Sequence, residues 1–136
     1  MQFETKIAFV IRQDLGQWEK IDVAAFPASG IAGAGTELVG EPYADADGAR
    51  YLRLCVQPML VYAADGAQLA RALDRALARG VEPAIYTDEM FATTHDAANR
   101  AALKSVRRAD FKLAGIALRA ARKTVDKIVD GLKFHT

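Results

Sequence analysis

The chain has 136 residues, the usual size of one domain and enough to bury a core without staples. Its composition is 51% hydrophobic and 26% charged, an ordinary balance that excludes fibrous and disordered classes. No apolar run approaches the ~20 residues that span a bilayer, and the opening MQFETK lacks the apolar stretch of a secretory signal. A cytoplasmic location without membrane contact is therefore expected.

Cys55 is the single cysteine, so an internal disulfide and a thiol zinc cage are both excluded. It sits in the apolar-flanked run YLRLCVQ as a small buried residue. With only His95 and His135 as imidazoles, neither a metal nor another cofactor is expected. The net charge of +1 conceals an asymmetry. Residues 1–88 hold 8 Lys+Arg against 12 Asp+Glu, whereas residues 89–136 hold 10 against 5. The second half, with Arg100, Lys104, Arg107, Arg108, Arg119 and Arg122, could present a basic face to nucleic acid or simply a solvated one.

Lys6 to Arg12 contains the continuous run Ile7 to Ile11, which predicts a strand buried on both faces and hence central in its sheet. Gln13 to Gln17 is a polar turn. The following helix brings Val23, Phe26 and Ile31 inward and ends near Gly33 to Gly35. Pro27 requires that this helix either start late or be kinked. Strands are expected around Tyr51 to Val56 and Met59 to Tyr62. Asp45, Asp47 and Gly48 resemble the opening of a calcium loop, but the closing ligands are missing and a hairpin turn is the better fit.

Gln68 to Arg79 places Leu69, Leu73, Ala76 and Leu77 on one helix face, with Gly80 as its stop. A short strand follows at Pro83 to Tyr86. Asp96 to Val106 is an Ala-rich helix, with Thr93 and Asp96 in the pattern of a capping box. Lys112 to Leu118 is strand-like, and Val125, Ile128, Val129 and Leu132 form the stripe of a last helix stopped at Gly131. Strands alternate with helices, which implies an α/β class with helices on both faces of a mixed sheet.

The segments IAFVIRQDLGQWEKIDVAA, AIYTDEMFATTHDAANRAA and LAGIALRAARKTVDKIVDGLKFH run in the same order along nearly the whole chain as in an uncharacterised bacterial family, domain of unknown function 2000, which the chain resembles. Members of that family look like peptidyl-tRNA hydrolase type 2 in fold. The resemblance implies one domain over residues 1–136, a three-layer α/β/α sandwich around a mixed β-sheet. In the hydrolases a strand ending in Arg-x-Asp-Leu leads to a Gly-Lys helix start. Arg12, Asp14, Leu15 and Lys20 match that pattern, with Glu19 in place of the glycine. The Gln and His that continue it are absent, since Ala24 to Ala28 read AAFPA. A second hydrolase cluster, an Asp followed by a Thr, corresponds to Asp88 with Thr93 or Thr94, in a loop of different length.

By this resemblance Asp88 would hold a water and Lys20 would meet the developing oxyanion, with Thr93, Thr94 and His95 completing a catalytic set. Each has an ordinary alternative: a solvated Lys20, and a His95 in the first turn of its helix. Arg12, Asp14, Asn99 and Arg100 are candidate ligand contacts, although Arg100 also stands i,i+4 to Asp96. Trp18 and Tyr86 could form an aromatic wall or pack in the core. Three functions stay open. One is a hydrolase acting on an ester or amide with an anionic or tRNA-linked group; another is a non-catalytic domain for a small anionic ligand; the last is an RNA-binding module. Pairing through a helix face or a sheet edge into a homodimer is a further expectation, without a heptad register to specify it.

Overall fold

The computed structural model describes residues 3–136. Its first strand, β1 (Thr5–Arg12), keeps every side chain from Ile7 to Ile11 buried, as the unbroken apolar run requires. After a tight turn comes α1 (Gln17–Ala34), then a short ribbon of β2 (Tyr43–Ala44) and β3 (Arg50–Tyr51), and then β4 (Met59–Ala64). The remaining elements are α2 (Gly66–Ala78), β5 (Ala84–Thr87), α3 (Asp96–Lys104), β6 (Leu113–Ala121), α4 (Arg122–Ile128) and β7 (Lys133–Phe134). The main sheet has the order β5-β6-β1-β4-β7, with β1 at its centre. It is mixed: β1 runs parallel to β4 and antiparallel to β6, and the outer pairs are antiparallel.

Alternation along β1 divides the core into two layers. Ile7, Phe9 and Ile11 face α1, where Val23 and Ile31 meet them. Ala8 and Val10 face the opposite layer, with Leu69, Leu73 and Ala76 of α2 and Val125 and Ile128 of α4. Helices thus cover both faces of a mixed sheet, the expected α/β class. The approach of α1 to the sheet depends on Gly115, where a Cβ would lie 2.3 Å from Val23 Cγ1 and 2.9 Å from the Val10 carbonyl oxygen.

Local signals explain several helix ends. Asp65 and Gln68 cap α2 reciprocally: the Gln68 amide donates to Asp65 Oδ1 at 2.8 Å and the Asp65 amide to Gln68 Oε1 at 2.9 Å. Gly80 and Gly131 adopt φ of +71° and +86° just beyond α2 and α4, the left-handed conformation that ends helices. At the start of α1, the Gly16 amide donates to Glu19 Oε1 at 2.8 Å, so the residue standing in the hydrolase glycine's place closes the helix N-terminus.

Four expectations need correction, and one alternative is removed. One helix runs through Pro27, so the late start is excluded; Pro27 is itself buried. Phe26 is 59% exposed and lies outside the core layer. Leu77 is also exposed, because the stripe of α2 is completed by Ala72 instead. The strand expected over Tyr51 to Val56 is reduced to Arg50–Tyr51 and a single bridge at Cys55. Thr93 does not cap α3; His95 is its N-cap, with Nδ1 accepting from the Ala98 amide at 3.2 Å. The Asp-Gly turn is present as expected. Asp45 Oδ1 accepts the amides of Asp47 and Ala49 at 2.9 and 3.0 Å, and Gly48 takes φ of +89°.

Candidate functional site

The parallel strands β1 and β4 are neighbours, yet β1 leads to a helix on one face and β4 to a helix on the other. Such a reversal opens a crevice at the carboxyl ends of the two strands, the place where open α/β sheets take ligands. A groove of about 620 Å³ lies beside it on the α1 face of the sheet, between α1 and the β4–β7 edge, lined by Ile11, Gln17, Lys20, Ile21, Ala24, Val61, His135 and Thr136. Ile11, Ile21, Ala24 and Val61 make its walls apolar, and of the lining residues Lys20 alone carries a fully charged side chain. Lys20 stands in the second turn of α1, where the positive end of the helix adds to its potential.

The position of His135 follows from backbone pairing: β7 joins β4, and the His135 amide donates to the Val61 carbonyl at 2.9 Å. Its Nδ1 lies 2.8 Å from the Thr136 carbonyl oxygen. Its Nε2 is shielded from solvent and has no hydrogen-bond partner among the described residues. Gln17 and His135 are therefore polar groups beside Lys20 that sequence reasoning missed. A two-residue strand so close to the end, Lys133–Phe134, is too short to show a period.

A second cluster sits at the same sheet edge, on the side of β6. Arg12 Nε donates to Asp14 Oδ1 at 2.6 Å, and Arg12 Nη1 donates to the Leu113 carbonyl at 2.7 Å while lying 3.0 Å from Asp88 Oδ1. Burial works to lower the guanidinium pKa, but the bonds to Asp14 and Asp88 outweigh it and raise it above its ordinary value. Asp88 Oδ1 is shielded from solvent and faces Arg12 Nη1 across the 3.0 Å ion pair. The structure thus joins Arg12, Asp14 and Asp88 but gives Asp88 no place among the residues lining Lys20's groove.

The third group surrounds α3. Thr93 Oγ1 donates to the Met90 carbonyl at 3.0 Å and is also bonded to Asn99 Oδ1. Thr94 is exposed. Arg100 is bonded to Asp96, and both are exposed. Asn99 and Arg100 border a groove of about 290 Å³ between α1 and α3, with Phe26, Tyr86, Met90 and Leu103 as its apolar wall. Tyr86 stacks obliquely on Phe91 at 5.0 Å, and Trp18 meets Phe91 edge-on at 5.8 Å. The residues expected to share one catalytic centre are divided among three places.

Basic side chains of the second half are likewise dispersed. Arg100 pairs with Asp96, Arg108 with Asp74 and Arg119 with Glu37, each on a different element. Among the described residues, no three His, Cys, Asp or Glu side chains converge to hold a metal ion, and no helix is long and apolar enough to cross a membrane.

The family model of proteins of unknown function DUF2000 matches residues 5–136. The chain belongs to this family. This DUF2000 chain is similar to a solved protein of unknown function from Agrobacterium tumefaciens strain C58, with a TM-score of 0.97 and 45% sequence identity. The match covers 99% of this chain and 100% of the other. No curated protein matches it. The DUF2000 membership accords with the three segments singled out in the sequence, and all three contribute to the sheet edge: β1 with α1, β5 with α3, and β6 with β7.

Proposed function

We propose that the chain is a small-anion-binding domain of peptidyl-tRNA hydrolase type 2-like fold that lacks the hydrolytic chemistry. The ligand is a carboxylate or phosphate with an apolar body, seated in the groove between α1 and the β4–β7 edge with Lys20 as counter-ion. One observation carries this reading: Lys20 is the one side chain with a full charge in a groove walled by Ile11, Ile21, Ala24 and Val61, while Asp88 is held by Arg12 elsewhere. Gln17 adds hydrogen-bonding capacity beside the cation. Binding to the folded state alone raises apparent stability. Hexanoate and phenyl phosphate should therefore raise the melting temperature of the protein in a concentration-dependent manner, and should leave that of Lys20→Ala unchanged. Equal shifts in both proteins would remove Lys20 from the site.

A diverged hydrolase is the second reading, favoured by the Asp88 side chain, which is 37% exposed and so within reach of water. It requires turnover of a model peptidyl-tRNA that is lost in Lys20→Ala. Folded protein without turnover leaves the binding domain. An RNA-binding module is the third, and it requires affinity that falls steeply with salt. The pairing of Arg100, Arg108 and Arg119 with separate carboxylates weighs against a continuous basic face.

A further inference from the structure

Trp18, Asp22 and Phe26 stand four residues apart in α1, so their side chains share one stripe of that helix. Lys20, two residues from both Trp18 and Asp22, lies on the opposite side. Phe91 meets Trp18 edge-on with ring centroids 5.8 Å apart. Tyr86 is tilted against Phe91 at 5.0 Å and against Phe26 at 6.1 Å. The four rings form a continuous arc whose two ends are anchored one helical turn either side of Asp22.

Asp22 is half-buried, and among the described residues it has no ion-pair partner. Its field reaches the arc: the Tyr86 phenol is raised above its ordinary pKa, by burial first and then by the Asp22 carboxylate. The Tyr86 hydroxyl does not neutralise that charge, because it is directed to the Met90 carbonyl at 3.4 Å. Arg100, which borders the same aromatic wall, is engaged by Asp96. At the ends of the arc Trp18 and Phe26 are 62% and 59% exposed, whereas Tyr86 is buried between them. A half-buried carboxylate without a counter-ion, set between two large rings left in water, is costly in the free protein.

The chemistry of the arc complements one class of ligand. The faces of aromatic rings carry negative potential, strongest for Trp, and with a carboxylate they attract a cation. A compact, strongly hydrated cation such as an alkali ion or a primary ammonium gives up too much water to gain from the rings. A trimethylammonium group spreads its charge over methyl groups, which pack on the rings while the carboxylate supplies the counter-charge. We propose that Trp18, Asp22, Phe26 and Phe91 form a binding site for a quaternary ammonium group, with Asp22 as counter-ion and the exposed rings of Trp18 and Phe26 as side walls. The groove of about 290 Å³ between α1 and α3 runs along Phe26, Tyr86 and Met90 and has space for the rest of the ligand. The site stands on the opposite side of α1 from the Lys20 groove and does not depend on it.

Trp18 is the chain's one tryptophan, so its fluorescence reports the site directly. Choline should change that signal saturably, whereas sodium chloride at equal ionic strength should not. The neutral analogue of choline, in which a tert-butyl group replaces trimethylammonium, should bind about tenfold or more weakly. Asp22→Asn keeps the shape of the side chain and should weaken choline binding about tenfold, and Phe26→Ala should weaken it about threefold or more, both with unchanged circular dichroism. A peptide carrying one trimethyllysine, compared with its unmethylated form, distinguishes the source of the group. Tighter binding of the methylated peptide than of choline assigns the group to a protein side chain, and a response to choline alone assigns it to a free small molecule. No saturable response to choline up to about 50 mM or to the methylated peptide up to about 1 mM overturns the proposal. Equal affinity of the native protein and Asp22→Asn, or of choline and its neutral analogue, overturns it as well.

Discussion

Arg12 Nη1 lies 3.0 Å from Asp88 Oδ1 while donating to the Leu113 carbonyl at 2.7 Å. One guanidinium thereby ties the end of β1 to the first residue of β6 and to the residue that follows β5, a strand that β6 separates from β1. The Arg12 side chain is only 17% exposed, so the contact is partly shielded from solvent. Its role in the structure is a clamp across the sheet edge.

Arg12→Met should therefore destabilise the protein by about 2–3 kcal/mol, leaving the Asp88 carboxylate and the Leu113 carbonyl without their partner. Asp88→Asn, which keeps the shape and removes the charge, should cost about 1 kcal/mol. Urea denaturation measures both. Losses below about 0.5 kcal/mol in each would mean that the clamp contributes no more than a surface pair.

His95 caps α3 through Nδ1, and its substitution distinguishes capping from catalysis. His95→Ala should cost about 0.5–1 kcal/mol, whereas His95→Asn, a better cap, should restore or exceed native stability. Anion-induced stabilisation should be the same in both variants. If His95→Asn were no more stable than His95→Ala, the cap would have no energetic role.

Gly115→Ala should lower stability by about 1–3 kcal/mol or more, because the new methyl group meets Val23 and the Val10 carbonyl. Pairing it with Val23→Ala should recover part of the loss, although Val23→Ala alone opens a cavity. Additive losses in the double variant would show that α1 and β6 are not in the close contact described.

Between β2 and β3, Asp45 is held below its ordinary carboxylate value, first by the Tyr51 hydroxyl and then by the amides of Ala49, Asp47 and Gly48. A depressed folded value means that the bond stabilises the turn above the ordinary Asp value of 3.8 and is lost as pH falls through the lower folded value. The amide resonances of Asp47 and Ala49 should thus titrate with a midpoint below 3.8, and Tyr51→Phe should move it upward. An unshifted native midpoint would mean that the Tyr51 bond is absent in solution.

Periodicity carried most of the fold. The unbroken Ile7 to Ile11 run marked the central strand, and the spacing of Leu69, Leu73 and Ala76 marked the face of α2. What stayed hidden depends on distance along the chain. The requirement for Gly115 comes from Val23, far earlier in sequence, and no local pattern reports that close approach. Tyr51 to Val56 read as a strand from its apolar residues, yet the core does not reach Leu52, Leu54 and Val56, and most of the strand pairing is missing. The candidate site suffered from the same blindness. Lys20 and Asp88 both follow strands that end at one sheet edge, yet the sequence does not record that Arg12 claims Asp88 and that His135 returns beside Lys20.

The most direct test of anion binding in the groove between α1 and the β4–β7 edge is a two-dimensional amide NMR titration of the protein and of Lys20→Ala with hexanoate. Saturable shifts should cluster at Gln17 to Ala24, Val61 and His135, with affinity reduced about tenfold or more in the variant. Absence of saturable shifts, or shifts centred on α3 or on the Arg12 and Asp88 pair, would contradict the site.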